Sequence, residues 1–190
     1  MSHLKPETLH NMVSPWSFTI WGMEIIDPFS PGKGQTKFLL VGIDYFTKWI
    51  KVKPLASISA KNVQNFVWRS IVCLFEVPHT IITNNGRHFI DRGLQSFYED
   101  LGIKSVTSSV EHPQTNGQAE TTNKVNLNEL KKRLGTTKVR WIEELIEVLW
   151  VYRYTPQTSM QEIPYSLTYG IKAMIPNDDF LRQMHHICQK

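Results

Sequence analysis

The chain's 190 residues suffice for one domain with a real core, and 41% hydrophobic with 20% charged residues is ordinary for a soluble globular protein. No apolar run approaches the ~20 residues that span a bilayer, no charged–apolar–small leader opens the chain, and a net charge of +4 permits a nucleic-acid partner without demanding one. Cys73 and Cys188 form no CxxC pair, which leaves neither a disulfide framework nor a zinc site and fits a reduced intracellular setting.

Residues 1–17 show little periodicity and read as an irregular arm. Phe18 to Ile26 is apolar and rich in β-formers, as a strand should be. Pro31-Gly32-Lys33-Gly34 is turn punctuation. Lys37 to Tyr45 follows as a second strand and Trp49 to Pro54 as a third, close enough together to form an antiparallel meander. The period then changes. Ser59 is suited to cap a helix in which Val63, Phe66, Val67, Ile71 and Leu74 recur at helical spacing. Thr80 to Thr83 is a short β-branched strand. Phe89 to Leu101 reads as a helix with Leu94, Phe97, Tyr98 and Leu101 on one side and Gly102 as its C-cap. Ile103 to Val106 is a fifth strand, and two helical stretches follow, about Gln118 to Leu134 and Trp141 to Tyr154.

Crossover helices between the later strands require parallel pairing there. The fold class is therefore α/β: a mixed five-stranded sheet flanked by helices, the plan of a ribonuclease-H-like fold. Residues 18–170 form the core in this reading, and 171–190 a C-terminal tail or truncated linker. In that tail His185, His186 and Cys188 lie close together, but a polar tail explains them better than a metal site with no fourth ligand.

Three segments carry the chemistry. Trp21-Gly22-Met23-Glu24-Ile25-Ile26 lies in the first strand. Ile81-Ile82-Thr83-Asn84-Asn85-Gly86 runs from the fourth strand into a turn. His112-Pro113-Gln114-Thr115-Asn116-Gly117-Gln118-Ala119-Glu120 is a loop entering a helix, and 35 residues separate Asn84 from Glu120. With Asp44-Tyr45-Phe46-Thr47-Lys48-Trp49, Leu149-Trp150-Val151-Tyr152-Arg153 and Pro164-Tyr165-Ser166-Leu167-Thr168-Tyr169-Gly170, these segments resemble the integrase catalytic cores of gypsy-type long-terminal-repeat retrotransposons and, more distantly, retroviruses, over roughly residues 14–176.

The resemblance implies a metal-dependent polynucleotidyl transferase for DNA integration. Such enzymes cut and join phosphodiesters with two divalent ions, Mg²⁺ or Mn²⁺ and not zinc, held by an Asp in the first strand, an Asp in an Asp-Asn-Gly turn and a Glu 35 residues later. Those positions are Glu24, Asn84 and Glu120 here, so the catalytic and metal-binding set departs from the family twice. Glu24 moves its charge outward by one methylene. Asn84 keeps an oxygen but loses the charge; at an effective dielectric near 20 a unit pair about 4 Å apart is worth roughly 4 kcal/mol, and a divalent ion roughly doubles that before desolvation. Asp27, at an odd offset from Glu24, should face the other side of the strand. Asp44 shares the hairpin, where a diagonal approach to Glu24 is open to it, but a polar residue at a strand end is the plainer role. The expected enzyme is thus inactive or weakly active.

Along the helix after Gln118, Leu127, Leu130 and Leu134 share a core-facing stripe, with Glu120 on its edge and Lys124 and Lys131 just beyond. Solvated lysines would explain that pair. The resemblance instead assigns Lys124 to DNA and Asn116 to the active-site loop, and with Lys131 these are the expected DNA-binding residues. Trp141, Leu145, Val148, Leu149 and Tyr152 form another stripe, read first as core packing and, by the resemblance, second as a homodimer interface through Trp141–Tyr152. The family further implies DNA as partner, no membrane, and the nucleus. Its zinc-binding domain is not readable, since His3 and His10 are followed by no CxxC. A non-catalytic DNA-binding or recruited retroelement-derived module is the competing function, and a ribonuclease H a distant third.

Overall fold

The computed structural model describes residues 16–26, 29–107, 128, 131–132, 134, 140–157 and 161–170. Its centre is a five-stranded sheet in the order β3-β2-β1-β4-β5. β1 (Ile20–Ile26), β2 (Phe38–Asp44) and β3 (Ile50–Leu55) form the expected antiparallel meander, and β4 (Thr80–Thr83) and β5 (Lys104–Thr107) add on in parallel. This is the ribonuclease-H-like arrangement. Pro54 lies in β3, an edge strand, where a missing backbone donor is tolerated.

Side-chain alternation along β1 divides two cores. Trp21, Met23 and Ile25 point to one face and join Leu40, Ile81 and the helices that follow β3 and β4. The first of these is α1 (Ala60–Phe66), continued by a π-helical turn (Val67–Val72) and closed by α2 (Cys73–Phe75). Ser59 caps it as expected, its Oγ accepting a hydrogen bond from Asn62 N at 3.2 Å. The π turn is the departure from the sequence reading. A wider turn delays the helical phase, so Val63, Phe66, Val67 and Ile71 are buried but Leu74, expected on the same stripe, is 57% exposed.

The second helix on this face is α3 (Arg92–Asp100). It starts later than Phe89 because Asp91 is its N-cap: Asp91 Oδ1 accepts from Gly93 N at 2.9 Å and Leu94 N at 3.2 Å. Phe89 sits in the turn before it and fills the core from there. Gly102, at φ +69°, takes the left-handed position that ends the helix.

On the opposite face, Ile26, Leu39, Val41 and Ile43 pack against α4 (Trp141–Tyr154) through Trp141, Leu145 and Leu149. Leu134 is buried in the same cluster, and Asn128, Lys131, Lys132 and Leu134 are helical. Leu127 and Leu130 lie outside the described residues. α4 is also held by polar contacts to the β1–β2 connection, the β2–β3 turn and the start of β3. Trp141 Nε1 donates to Ser30 O at 2.9 Å, Tyr152 Oη to Lys48 O at 3.1 Å, and Arg153 to Ile50 O at 3.0 Å. α5 (Pro164–Tyr169) follows, with Tyr165 stacked on Tyr154 and Tyr169 edge-on to Trp49. Among the described residues no helix is long and apolar enough to cross a membrane.

Candidate active site

Parallel pairing of β1 with β4 aligns Trp21 with Ile81, Gly22 with Ile82 and Met23 with Thr83. One step further along both strands stand Glu24 and Asn84. Because side chains alternate, both belong to the face that carries Gly22 and Ile82, opposite the core built on Trp21 and Ile81. Glu24 is half-buried in the middle of the sheet, with Val41 of β2 beside it; Asn84 is exposed where β4 ends. Two of the three expected ligand positions are therefore adjacent at the C-terminal end of a parallel strand. Glu120, Asn116, Lys124 and Asp27 lie outside the described residues.

The turn after β4 is tightly organised. Asn84 Oδ1 accepts a hydrogen bond from Gly86 N at 3.0 Å, closing an Asx turn. Phe89 N donates to Gly86 O at 2.8 Å, and Gln95 Nε2 donates to Phe89 O at 2.7 Å. Phe89 is 1% exposed, so the turn is pinned to the core by an aromatic anchor. A Cβ placed on Gly86 would lie 2.8 Å from His88 Nε2 and 3.0 Å from Asn84 Oδ1. Only glycine leaves that space open. The His88 ring meets Phe89 edge to face, with centroids 5.2 Å apart. Burial holds its imidazole below the usual histidine range, which favours the neutral form. His88 was not singled out from sequence; its offset of four from Asn84 across a glycine was the available signal.

The donors suit a hard divalent ion in kind. Glu24 offers a carboxylate, and the Asn84 amide oxygen retains a second lone pair beside the one that Gly86 N–H engages. They fall short in charge, and among the described residues no group of three His, Cys, Asp or Glu side chains converges.

Asp44 does not supply the deficit. It pairs with Trp21, three positions along β1 from Glu24 and on the other face. Its carboxylate staples the β2–β3 turn instead, accepting from Phe18 N at 2.9 Å, Thr47 N at 2.7 Å and Thr47 Oγ1 at 2.8 Å. Burial pushes this carboxyl above its ordinary range, against the pull of those hydrogen bonds and of Lys48. Lys131 is helical and exposed. The α4 stripe is consumed by the chain's own core: Trp141, Leu145 and Leu149 are buried and Val148 and Tyr152 pack against them.

Comparison with known proteins gives a consistent pattern. The profile of the family described as "Integrase core domain" matches residues 17–113. The chain is 30% identical over 160 residues to the Pol polyprotein of Radiation murine leukemia virus (strain Kaplan), covering 84% of this chain and 27% of that protein. It is 23% identical over 154 residues to the retrovirus-related Pol polyprotein from transposon 412 of Drosophila melanogaster, covering 81% of this chain and 12% of that one. The chain thus spans well under a third of these relatives' own length. Among solved structures, the HTLV-2 integrase catalytic core domain in complex with magnesium, in its dimeric form, superposes with a TM-score of 0.57 at 20% identity, covering 80% of this chain and 97% of that one. A chain of the simian T-cell lymphotropic virus intasome superposes with a TM-score of 0.61 at 20% identity, covering 83% of this chain and 57% of that one.

Proposed function

The chain belongs to the integrase core domain family, within the polynucleotidyl transferases, and on that premise we propose that it is a DNA strand-transfer core whose metal site is weakened at two of three positions. The observation that carries this reading is the alignment of β1 with β4, which brings Glu24 and Asn84 to the same end of the sheet. With Glu120 they would hold divalent ions, which in this chemistry activate the attacking oxygen and stabilise the leaving one. Glu24 would contribute charge from the strand. Asn84 would contribute an oxygen without charge, held in place by the Gly86 N–H. Asn116, Lys124 and Lys131 would meet the phosphate backbone. Magnesium is named with one structural neighbour, and Mg²⁺ or Mn²⁺ is the expected ion here.

Weak activity follows from this ligand set. Misplacing a catalytic group by about 1 Å can cost around a hundredfold in rate, and losing a metal-binding charge should cost more. The test is a branched-DNA reversal assay with Mg²⁺ or Mn²⁺, in which the core breaks and rejoins one strand. The native chain gives little product, Asn84→Asp with Glu24→Asp raises it, and adding Glu120→Gln abolishes the gain. Strong native activity that survives Glu120→Gln would place the chemistry elsewhere.

The neutral Asn84 favours a second reading, a non-catalytic DNA-binding module of retroelement origin. In that case the double variant folds and stays inactive, while sequence-indifferent, salt-dependent DNA binding persists and falls further on Lys124→Ala than on the strand-side control Lys37→Ala. A nuclear location and a homodimer belong to the same proposal. Since the Trp141–Tyr152 stripe is internal, a dimer using α4 would have to engage its outer side, where Val151 is 46% exposed.

A further inference from the structure

The chain contains three Ser/Thr–Pro pairs, Ser14-Pro15, Ser30-Pro31 and Thr155-Pro156. Only Ser30 has a base three residues on, in Ser30-Pro31-Gly32-Lys33; Ser17 and Thr158 stand at that place after the other two. The pairs differ in structure as well. Ser14 lies outside the described residues. Thr155 follows the last turn of α4, where its Oγ1 donates to Val151 O at 2.6 Å. Ser30 is exposed in the β1–β2 connection, and the Trp141 indole holds its carbonyl, not its hydroxyl.

The backbone there suits the cleft of a protein kinase, which takes its substrate as an extended segment. Pro31 disfavours the helical region for Ser30 and fixes its own φ at about −65°. Gly32 is extended, at φ −97° and ψ −164°, and the 3₁₀ turn Lys33–Gln35 begins only after it, with Lys33 exposed. The strip is braced from behind. Phe29 N donates to Lys37 O and Gly32 N to Thr36 O, each at 2.8 Å, and Phe29 stacks on Trp141 with ring centroids 4.5 Å apart.

We propose that Ser30 is a phosphorylation site for a proline-directed kinase that selects a base three residues on, and that its phosphate stands at the joint between the β1–β2 connection and α4. The co-reactant is ATP bound by that kinase. Ser30 Oγ forms a new bond to the γ-phosphorus, the bond from that phosphorus to the β,γ-bridging oxygen breaks, ADP leaves, and the hydroxyl proton passes to the kinase's catalytic base.

The joint is close-packed, so a charge placed there is felt. A Cβ on Gly32 would lie 2.6 Å from Ile142 Cδ1 and 3.5 Å from Trp141 Nε1. Phosphoserine carries about −1.5 to −2 charge at neutral pH. α4 opens with no side-chain cap and with Arg140 at its N-cap, both of which favour an added anion, while Glu143 and Glu144 in the first turn oppose it.

The test incubates the whole chain with a kinase of the cyclin-dependent class and ATP labelled at the γ-phosphate, and maps the product by tandem mass spectrometry. Label should enter at Ser30. Ser30→Ala and Pro31→Ala should each abolish it, and Lys33→Ala should slow it about fivefold, as loss of one exposed ion pair would. All three side chains are exposed, so the variants fold. In the labelled chain the Trp141 indole N–H resonance should move.

Label confined to Ser14 or Thr155, or a rate indifferent to Lys33→Ala, overturns the assignment. So does a free peptide of residues 29–38 that takes up label while the intact chain does not, because the folded loop would then withhold the hydroxyl. Label on Ser30 with an unmoved indole resonance overturns the placement of the phosphate at α4.

Discussion

The two faces of β1 differ in what they tolerate. Trp21, Met23 and Ile25 enter an apolar core closed by α1 and α3, where Trp21, Phe66 and Tyr98 are fully buried. Glu24, on the same strand, faces the other way, and beside it the sheet shows Asn84 and the Gly86 turn where a third hydrophobic layer would otherwise continue. The α4 core covers this second face over β2 and β3, reaching β1 only at Ile26. One strand thus builds a closed core with its odd residues and, among its even ones, carries Glu24 beside the Asn84 turn. Substitutions on it should separate cleanly into two phenotypes.

The largest effect belongs to the closed face. Trp21→Ala should cost about 3–5 kcal/mol in urea unfolding, through lost burial and the cavity left behind. Glu24→Gln, one position away, should change stability by less than about 1 kcal/mol while weakening divalent-ion binding. A large loss of stability from Glu24→Gln would mean that the two faces do not divide the work.

An intermediate effect sharpens the contrast at the turn. Gly86→Ala forces a methyl to 2.8 Å from His88 Nε2 and 3.0 Å from Asn84 Oδ1, and the neighbours must shift. Because the His88 ring is the movable partner, the cost should stay near 1–2 kcal/mol, the low end for overpacking. Ion affinity should fall more than stability does, and amide exchange at Asn84 to His88 should quicken.

The smallest effect lies away from both faces, in the stack formed by Trp150, Tyr154, Tyr165 and Tyr169. Burial, with the Tyr165 hydroxyl as a lesser contributor, pushes the Tyr154 phenol up to about 12 from an ordinary 10.0. The unfolded chain therefore loses this proton first. The stabilisation is present in full below about pH 10 and is lost as pH rises through about 12. Tyr154→Phe should remove that slope from thermal melts and delete one late step from the phenolate absorbance titration.

How far the sequence could be read follows from where the deciding forces lie. Thr80–Thr83 and Trp141–Tyr154 match their observed bounds, and Ser59 caps as expected, because local period and side-chain chemistry decide these features. Leu74 was misplaced because a π turn leaves no mark in a hydrophobic pattern. The start of α3 was misplaced because Phe89 fits the helical stripe yet plugs the core from a turn, with Asp91 the true cap. At the site, the motifs pointed to Glu24 and Asn84. His88 has only a faint mark in the sequence, its offset of four from Asn84 across a glycine, because its approach to Asn84 depends on how the turn folds back, which no periodicity reports.

The pairing of β1 with β4 has a consequence for assembly. β1–β2–β3 is a local meander, but β4 can join β1 only after the chain has passed through two more strands and α1. Non-local parallel pairing forms slowly, since loop entropy is lost before contacts reward it. A nascent chain holding only the meander has Glu24 in place with no Asn84 beside it. A one-residue slip would turn Asn84 to the far side of the sheet. Ion binding at the proposed site would therefore report the finished topology: a chain that captures an ion there has paired β4 with β1 in the right register.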